Sequence, residues 1–406
     1  MALYTDLNFE LTPEQVSIKE ETHRFARDVL RPASIALDAM EPEKVIESDI
    51  FWNTMKKGYD LGYHTIFIPD TYGGIATDPL ESHIVLEEMA WGSVDFAIGL
   101  GVSCFPAFFA SMVPTDRLIE EIIEPFCDCK DASIIGCWGI TEPDHGTDTL
   151  CPFTPEFTDP KISGQVTARL DGDHYIVEGQ KAAWVSNGTI ATHCLVYLTL
   201  DPKMGMAGGG ICIVPLDLPG VRKGKPLDKM GQRALNQGEI YFDGVRVPKE
   251  YMLVDEESYS AMLDVTLSTA NAAMGAMFVG VARAAYEEAL AYSKQRIQGG
   301  KPIFQHQLIK HKLFRMFMNI EAGRALSRAA MIYNYNNTPP KIEYSIAAKV
   351  FCTNMAFEVT SEAIQIFGGN GVSREYPVEK FFRDARAGMI EDGANDSLMI
   401  TGAHHL

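Results

Sequence analysis

An α+β fold that is mainly α is what the sequence predicts: an N-terminal helical domain, a central antiparallel β-barrel or sandwich domain, and a C-terminal four-helix-bundle domain. Three observations predict it. Apolar residues recur at helical spacing from about Thr12 to about Asp128. From about Ala132 to Pro248 the pattern changes to short runs rich in Val, Ile, Tyr and Thr, punctuated by Gly, Pro and Asp. From about Glu257 to Ala403 the helical spacing returns. The expected domains are therefore 1–130, 131–254 and 255–406, a helical bundle interrupted by a β-domain.

The elements follow in order. Thr12-Pro13-Glu14-Gln15 offers a capping hydroxyl, Pro in the first turn and Gln three residues after the cap, so a helix starts there. It continues through Phe25, Val29 and Leu30. Leu86-Glu87-Glu88-Met89-Ala90-Trp91 opens another helix, expected to run past Asp95. Strands are expected at His174–Glu178, Cys194–Leu200, Gly210–Val214 and Glu239–Phe242. Ala282–Leu290 and Gln307–Asn334 read as helices, and Pro339-Pro340 separates two of them.

Bulk properties exclude several functions. Of 406 residues, 46% are hydrophobic and 22% charged, an ordinary balance for a globular protein with a sizeable core. The formal charge of −19 disfavours nucleic acid and anionic membrane surfaces as partners. No apolar run approaches the roughly 20 residues a membrane span needs. Met1–Asp6 lacks the features of a signal or transit peptide, so a cytoplasmic location is expected. The eight cysteines are scattered, and Cys127-Asp128-Cys129 has no second pair at ligand spacing, so no metal site is expected.

Two segments carry the strongest functional signal. Gly139-Ile140-Thr141-Glu142-Pro143-Asp144-His145-Gly146-Thr147-Asp148 and Lys181-Ala182-Ala183-Trp184-Val185-Ser186-Asn187-Gly188 each offer backbone N–H groups and a hydroxyl beside a turn glycine. Such groups can hold a phosphate or an electron-rich ring edge. Trp184, read as lying on a strand, adds a flat surface. Taken alone, Trp184 would more often be core, and Arg296 a solvated helix charge. Gly368–Gly371 is no Rossmann fingerprint, because no strand precedes it.

With Lys229–Arg233, Ile240–Pro248, Gly280, Arg296, Gly300–Ile303, His306-Gln307, Ile366–Gly371, Glu375–Lys380 and Arg383–Arg386, these segments resemble the acyl-CoA dehydrogenase family along nearly the whole chain. The resemblance implies an FAD flavoprotein. Ile140 and Thr141 would meet the flavin's pyrimidine edge, Trp184 would pack on the isoalloxazine, and Ser186 would bond near N5. Gly146 and Thr147 would lie by the pyrophosphate and the CoA arm. Arg296, Gln298, Gln365 and Gly369 would come from a neighbouring subunit to hold the ADP half, which implies a homotetramer built as a dimer of dimers. An electron-transferring flavoprotein would be the electron acceptor.

The resemblance also implies proton removal alpha to a thioester by a carboxylate, with hydride transfer from the beta carbon to flavin N5. In Met389-Ile390-Glu391-Asp392-Gly393-Ala394, keeping the glycine in register puts Asp392 where many members have Glu. Glu391 falls where an aromatic residue is common. Asp is one methylene shorter, and a misplacement of roughly 1 Å can cost on the order of a hundredfold. An earlier-helix base is closed off, since Ala270 stands there. The alternative base is Asp95, on the helix expected to line the acyl pocket, where poor solvation would raise its pKa. That would suit 1,4-dehydrogenation of a cyclic 1-ene-carboxyl-CoA. A reductase, a non-redox flavoprotein and a non-catalytic acyl-CoA or flavin binder are further alternatives.

Substrate contacts are expected from Thr147, Asp95, Glu391 and Asn271, the last standing where Arg is frequent. Gly299 replaces a frequent Phe, and Ala394 a frequent hydroxyl residue. Ala97, Gly99 and Gly101 make the expected pocket helix narrow. Together these features suit a cyclic, aromatic-substituted or branched acyl group.

Overall fold

The computed structural model describes residues 11–75 and 78–406. Met1–Asp6, where no targeting signal is expected, lies outside them. The first helix, α1 (Pro13–Phe25), starts at the expected capping box: Thr12 Oγ1 accepts from the Gln15 N–H at 3.2 Å, and Gln15 Oε1 accepts from the Thr12 N–H at 3.1 Å.

The helix expected to run past Asp95 instead breaks. α2 (Pro79–Gly92) ends at Ser93, whose extended backbone lets its hydroxyl accept from the Phe96 N–H and cap α3 (Val94–Ser103). Apolar periodicity is continuous across Gly92-Ser93, which hides a helix start of the usual Ser-capped kind.

The central sheet contains β1 (Gly136–Gly139), β2 (Thr167–Asp171), β3 (His174–Lys181), β4 (His193–Thr199), β5 (Gly209–Pro215), β6 (Val221–Lys223), β7 (Ile240–Pro248) and β8 (Met252–Val254). Seven strands are ordered β6-β7-β3-β2-β4-β5-β8, and β1 lies parallel to β4. β4 pairs antiparallel with β5 from His193↔Pro215 to Thr199↔Gly209, and its residues after His193 are buried. β3 bulges between Val177 and Gly179. Gly179 has φ 127°, and a Cβ there would stand 2.8 Å from the Gln165 carbonyl oxygen, so only glycine fits.

Trp184 does not lie on a strand. β3 ends at Lys181, and Trp184 sits in the turn that follows.

The C-terminal helices are α4 (Tyr259–Gln295), α5 (Gln307–Asn336), α6 (Ile342–Phe367), α7 (Val378–Gly388) and α8 (Asn395–His404). α4 corrects the reading that no segment is long and apolar enough to cross a membrane. It meets that criterion among the described residues, but 89% of its apolar window is buried against its neighbours, which makes it the core helix of the bundle. A buried charge cluster joins it to α2 and α5. Arg283 donates to Glu87 at 2.7 Å and to Glu88, and Arg324 donates to Glu87 at 2.9 Å. Burial alone would raise the Glu87 pKa, but Arg324, Arg283 and Arg328 hold it well below the usual carboxylate range.

Candidate active site

The fold brings Thr147, Asn271, Glu391 and Asp392 together at the turn between α7 and α8. Asp392 has φ 51° and Gly393 φ 97°. Left-handed backbone is costly for most residues, and Asp is among the few non-glycine types that tolerate it. The turn is tied from several sides. Lys349 of α6 donates to the Gly393 carbonyl and to Asn395 Oδ1, each at 2.7 Å. Asn271 Nδ2 of α4 donates to the Asp392 carbonyl at 3.3 Å, leaving its buried Oδ1 unpartnered. Thr147 Oγ1, on the loop after β1, accepts from the Ala394 N–H at 3.1 Å. One hydroxyl thus fastens the loop that carries the first motif to the carboxylate-bearing turn.

Within this clamp the Asp392 carboxylate has no hydrogen-bond or ion-pair partner among the described residues. It is half-buried, and burial pushes its pKa up to about 6, with Lys349 acting in the opposite direction. Lys349 is lowered by burial to about 8. Glu391 is raised to about 7 by burial and then by the adjacent Asp392, although Gln232 Nε2 donates to it at 2.6 Å.

Asp95 behaves differently, and the expected raised pKa is corrected. It is fully buried and accepts from Ser93 Oγ at 2.7 Å, Ser34 Oγ at 2.9 Å and the Ala234 N–H at 3.2 Å. Lys380 Nζ stands 3.3 Å away. Burial would raise its pKa, but Lys380, Ser93 and Ser34 outweigh burial and hold it at about 2. A carboxylate so fully engaged is a poor proton acceptor. Its pKa is depressed, so its contribution is present above the unfolded value and is lost as pH falls through about 2. Asp95→Asn should therefore cost about 2–3 kcal/mol at neutral pH, read as a lower urea midpoint at pH 7.

Gly99 and Gly101 of α3 are backed by neighbouring side chains. A Cβ on Gly99 would meet Asn187 Oδ1 and Leu235 Cδ1 at 3.6 Å, and one on Gly101 would meet Phe67 at 3.8 Å. These are ordinary contact distances, and Asn187 Nδ2 donates to the Gly99 carbonyl at 2.9 Å.

The two motif segments lie side by side. The Ala182 N–H donates to the Thr141 carbonyl at 2.9 Å, and Lys181 Nζ donates to the Ile140 carbonyl at 3.1 Å and to Glu142 Oε1 at 2.7 Å. Glu142 in turn accepts from the backbone of Gln165 and Val166. Ile140 is half-buried. Gln237 Nε2 pins the second segment by donating to the Trp184 carbonyl and to Ser186 Oγ at 3.3 and 3.2 Å. The Trp184 side chain is 58% exposed, an open flat face rather than core. The Gly146 N–H is already bonded to Asp148 Oδ1 at 2.6 Å, and a Cβ on Gly146 would meet nothing within 4 Å.

Arg296, Gln298, Gln365 and Gly369 line a separate groove of about 840 Å³ at the ends of α4 and α6. The Arg296 side chain is exposed and makes no ion pair among the described residues. Cβ atoms on Gly368 and Gly369 would point into open space. A free guanidinium, two amides and bare glycine backbone fit a pyrophosphate with its nucleoside. Gly299 also belongs to this groove, with φ 61°, so its departure from Phe reflects a turn.

Sequence reasoning missed Lys349, and it read Lys229, Gln232 and Lys380 only as parts of family motifs, without their contacts to the carboxylates. A lysine inside the apolar run Ala347-Ala348-Lys349-Val350 was the available signal for the first, because an isolated charge on a buried helix face needs a partner.

Family models for the N-terminal, middle and C-terminal domains of acyl-CoA dehydrogenase match residues 12–114, 137–245 and 261–406. The probable acyl-CoA dehydrogenase YngJ of Bacillus subtilis is 31% identical over 98% of this chain and 100% of its own. The cyclohexane-1-carbonyl-CoA dehydrogenase of Geobacter metallireducens is 30% identical over 95% of each chain. The solved structure of butyryl-CoA dehydrogenase from Megasphaera elsdenii has a TM-score of 0.86 at 30% identity, covering 98% of this chain and 99% of that one.

Proposed function

This chain belongs to the acyl-CoA dehydrogenase family, and on that premise we propose that Asp392 removes the α-proton of a CoA thioester whose acyl group is cyclic, aromatic-substituted or branched. It is an FAD-dependent oxidoreductase of acyl-CoA thioesters. The observation that carries the assignment of Asp392 is the contrast between two carboxylates: Asp95 is fully bonded, whereas Asp392 is free on a turn clamped by Lys349, Asn271 and Thr147. A base must have an open acceptor oxygen and a fixed position. With a pKa of about 6 it is largely ionised at neutral pH, and kcat/KM should rise as pH increases through that value.

FAD supplies the oxidised ring that receives the β-hydride. Ile140, Thr141, Trp184 and Ser186 would hold that ring, with the exposed indole as its wall. Gly146 and Thr147 would lie by the pyrophosphate and the CoA arm, and Asn271 and Glu391 would border the thioester. Arg296, Gln298, Gln365 and Gly369 would hold the ADP half of the cofactor bound mainly to a neighbouring subunit. Support for this division is that the groove's lining comes from the C-terminal helices and their loops, with no residue of the β-domain. Exposed Phe314, Met318, Phe351 and Ile400 on α5, α6 and α8 give further apolar surface for a homotetramer. Arg296→Ala should lower FAD retention, read as the flavin-to-protein ratio after gel filtration, by roughly tenfold or more in apparent Kd.

The short carboxylate of Asp392 favours an acyl group seated deeper than a straight chain. Electrons would pass to an electron-transferring flavoprotein, and the location would be cytoplasmic. The test is anaerobic bleaching of the flavin by a panel of CoA thioesters. Rapid bleaching by cyclic or bulky esters is expected. Bleaching mainly by straight chains would overturn the substrate class, and bleaching by none would point to a reductase.

A further inference from the structure

We propose that Lys181 is a positioning residue: it latches the backbone of the first motif segment so that the Thr141 N–H is aimed at the pyrimidine edge of the flavin. This rests on the reading that Ile140 and Thr141 hold that ring.

Lys181 is the last residue of β3, and its side chain is buried. Its stem runs past β1. A Cβ on Gly139 would stand 2.9 Å from Cys194 Sγ and 3.3 Å from Lys181 Cγ, so a side chain there would crowd the lysine. Nζ donates to the Ile140 carbonyl at 3.1 Å and to Glu142 Oε1 at 2.7 Å. The Ala182 N–H, next in the chain, donates to the Thr141 carbonyl at 2.9 Å. Glu142 is held in turn, because the backbone N–H groups of Gln165 and Val166 also bond its carboxylate.

A trans peptide is planar, so its carbonyl and its N–H point in opposite directions. Fixing the Ile140 carbonyl on Lys181 therefore fixes the Thr141 N–H on the far side of the same plane. That N–H has no acceptor among the described residues, although Thr141 is half-buried. A backbone donor left without a partner in such a place is ready for a ligand's acceptor. Lys181 and Glu142 are a matched, buried pair, so their action on the ring goes through the geometry of this peptide and not through net charge. A donor oriented before the ring arrives needs no reorganisation, and it stabilises the negative charge that collects on the pyrimidine edge when the ring is reduced.

The experiment is an anaerobic titration of the bound flavin's midpoint potential in the wild-type holoenzyme, in Lys181→Met and in Lys181→Met/Glu142→Gln, beside their urea midpoints. Lys181→Met strands the buried Glu142 charge, so it should lower both quantities. The double variant buries no charge, so it should recover much of the urea midpoint. Its flavin should still be roughly tenfold harder to reduce, a drop of about 30 mV for two electrons. A double variant that recovers its urea midpoint yet sheds FAD on gel filtration supports the same role. A wild-type or raised potential in either folded variant overturns it and leaves Lys181 a prop of the fold alone. Amide hydrogen exchange of the wild-type holoenzyme, resolved to single residues by mass spectrometry, tests the reading beneath and needs no variant. The Thr141 N–H should be protected. A Thr141 N–H that exchanges freely would mean that the ring does not meet this segment.

Discussion

Asp392→Asn should lower kcat by on the order of 10²–10⁴-fold with FAD content and CoA-thioester binding retained. The amide matches the carboxylate in size and tolerates the left-handed backbone, so the clamp from Lys349, Asn271 and Thr147 survives the change. Only the proton acceptor is lost. The check is stopped-flow flavin reduction with the bound thioester in excess, which separates the chemical step from binding. A non-catalytic acyl-CoA binder would show no such loss, because it would have no turnover to lose.

The second large effect is on stability. Glu87→Leu should cost about 3–5 kcal/mol, because it strands buried guanidiniums rather than removing a matched pair. Arg283 and Arg324 both donate to Glu87, and Arg328 stands 3.7 Å from it. The Glu87 pKa is depressed in the fold, so the stabilisation is complete at pH values above the unfolded carboxylate's pKa. It fades only as pH falls below that value toward the folded one. The gap in denaturant midpoint between wild type and variant should accordingly stay constant from pH 8 to about 5 and narrow in stronger acid.

Local chemistry was legible in the sequence where it depends on neighbours in the chain. Thr12 and Gln15 cap α1 as their spacing implies, and Pro339-Pro340 separates α5 from α6. The helix break at Ser93 was harder to see, because the apolar spacing of α2 and α3 runs through it. Trp184 looked like a strand residue because the preceding run is β-rich, yet β3 ends at Lys181, where the chain turns to meet Gln237.

The site was legible in its residue types and illegible in its partners. Nothing near Asp95 in the chain announces Lys380, which lies 285 residues further on and changes an expected weak acid into an ionised anchor. The small residues of α3 suggested space, whereas Asn187, Leu235 and Phe67 stand at contact distance from Gly99 and Gly101. Thr147 reaching Ala394, and Gln232 reaching Glu391, are likewise contacts that no local pattern encodes.

The most direct test of the central claim is deuterium exchange at the α-carbon of a bound CoA thioester, followed by mass spectrometry in D₂O. Proton removal by Asp392 predicts exchange in the wild type and in Asp95→Asn, and its loss in Asp392→Asn. Exchange that persists in Asp392→Asn and disappears in Asp95→Asn would place the base on α3 and contradict the account.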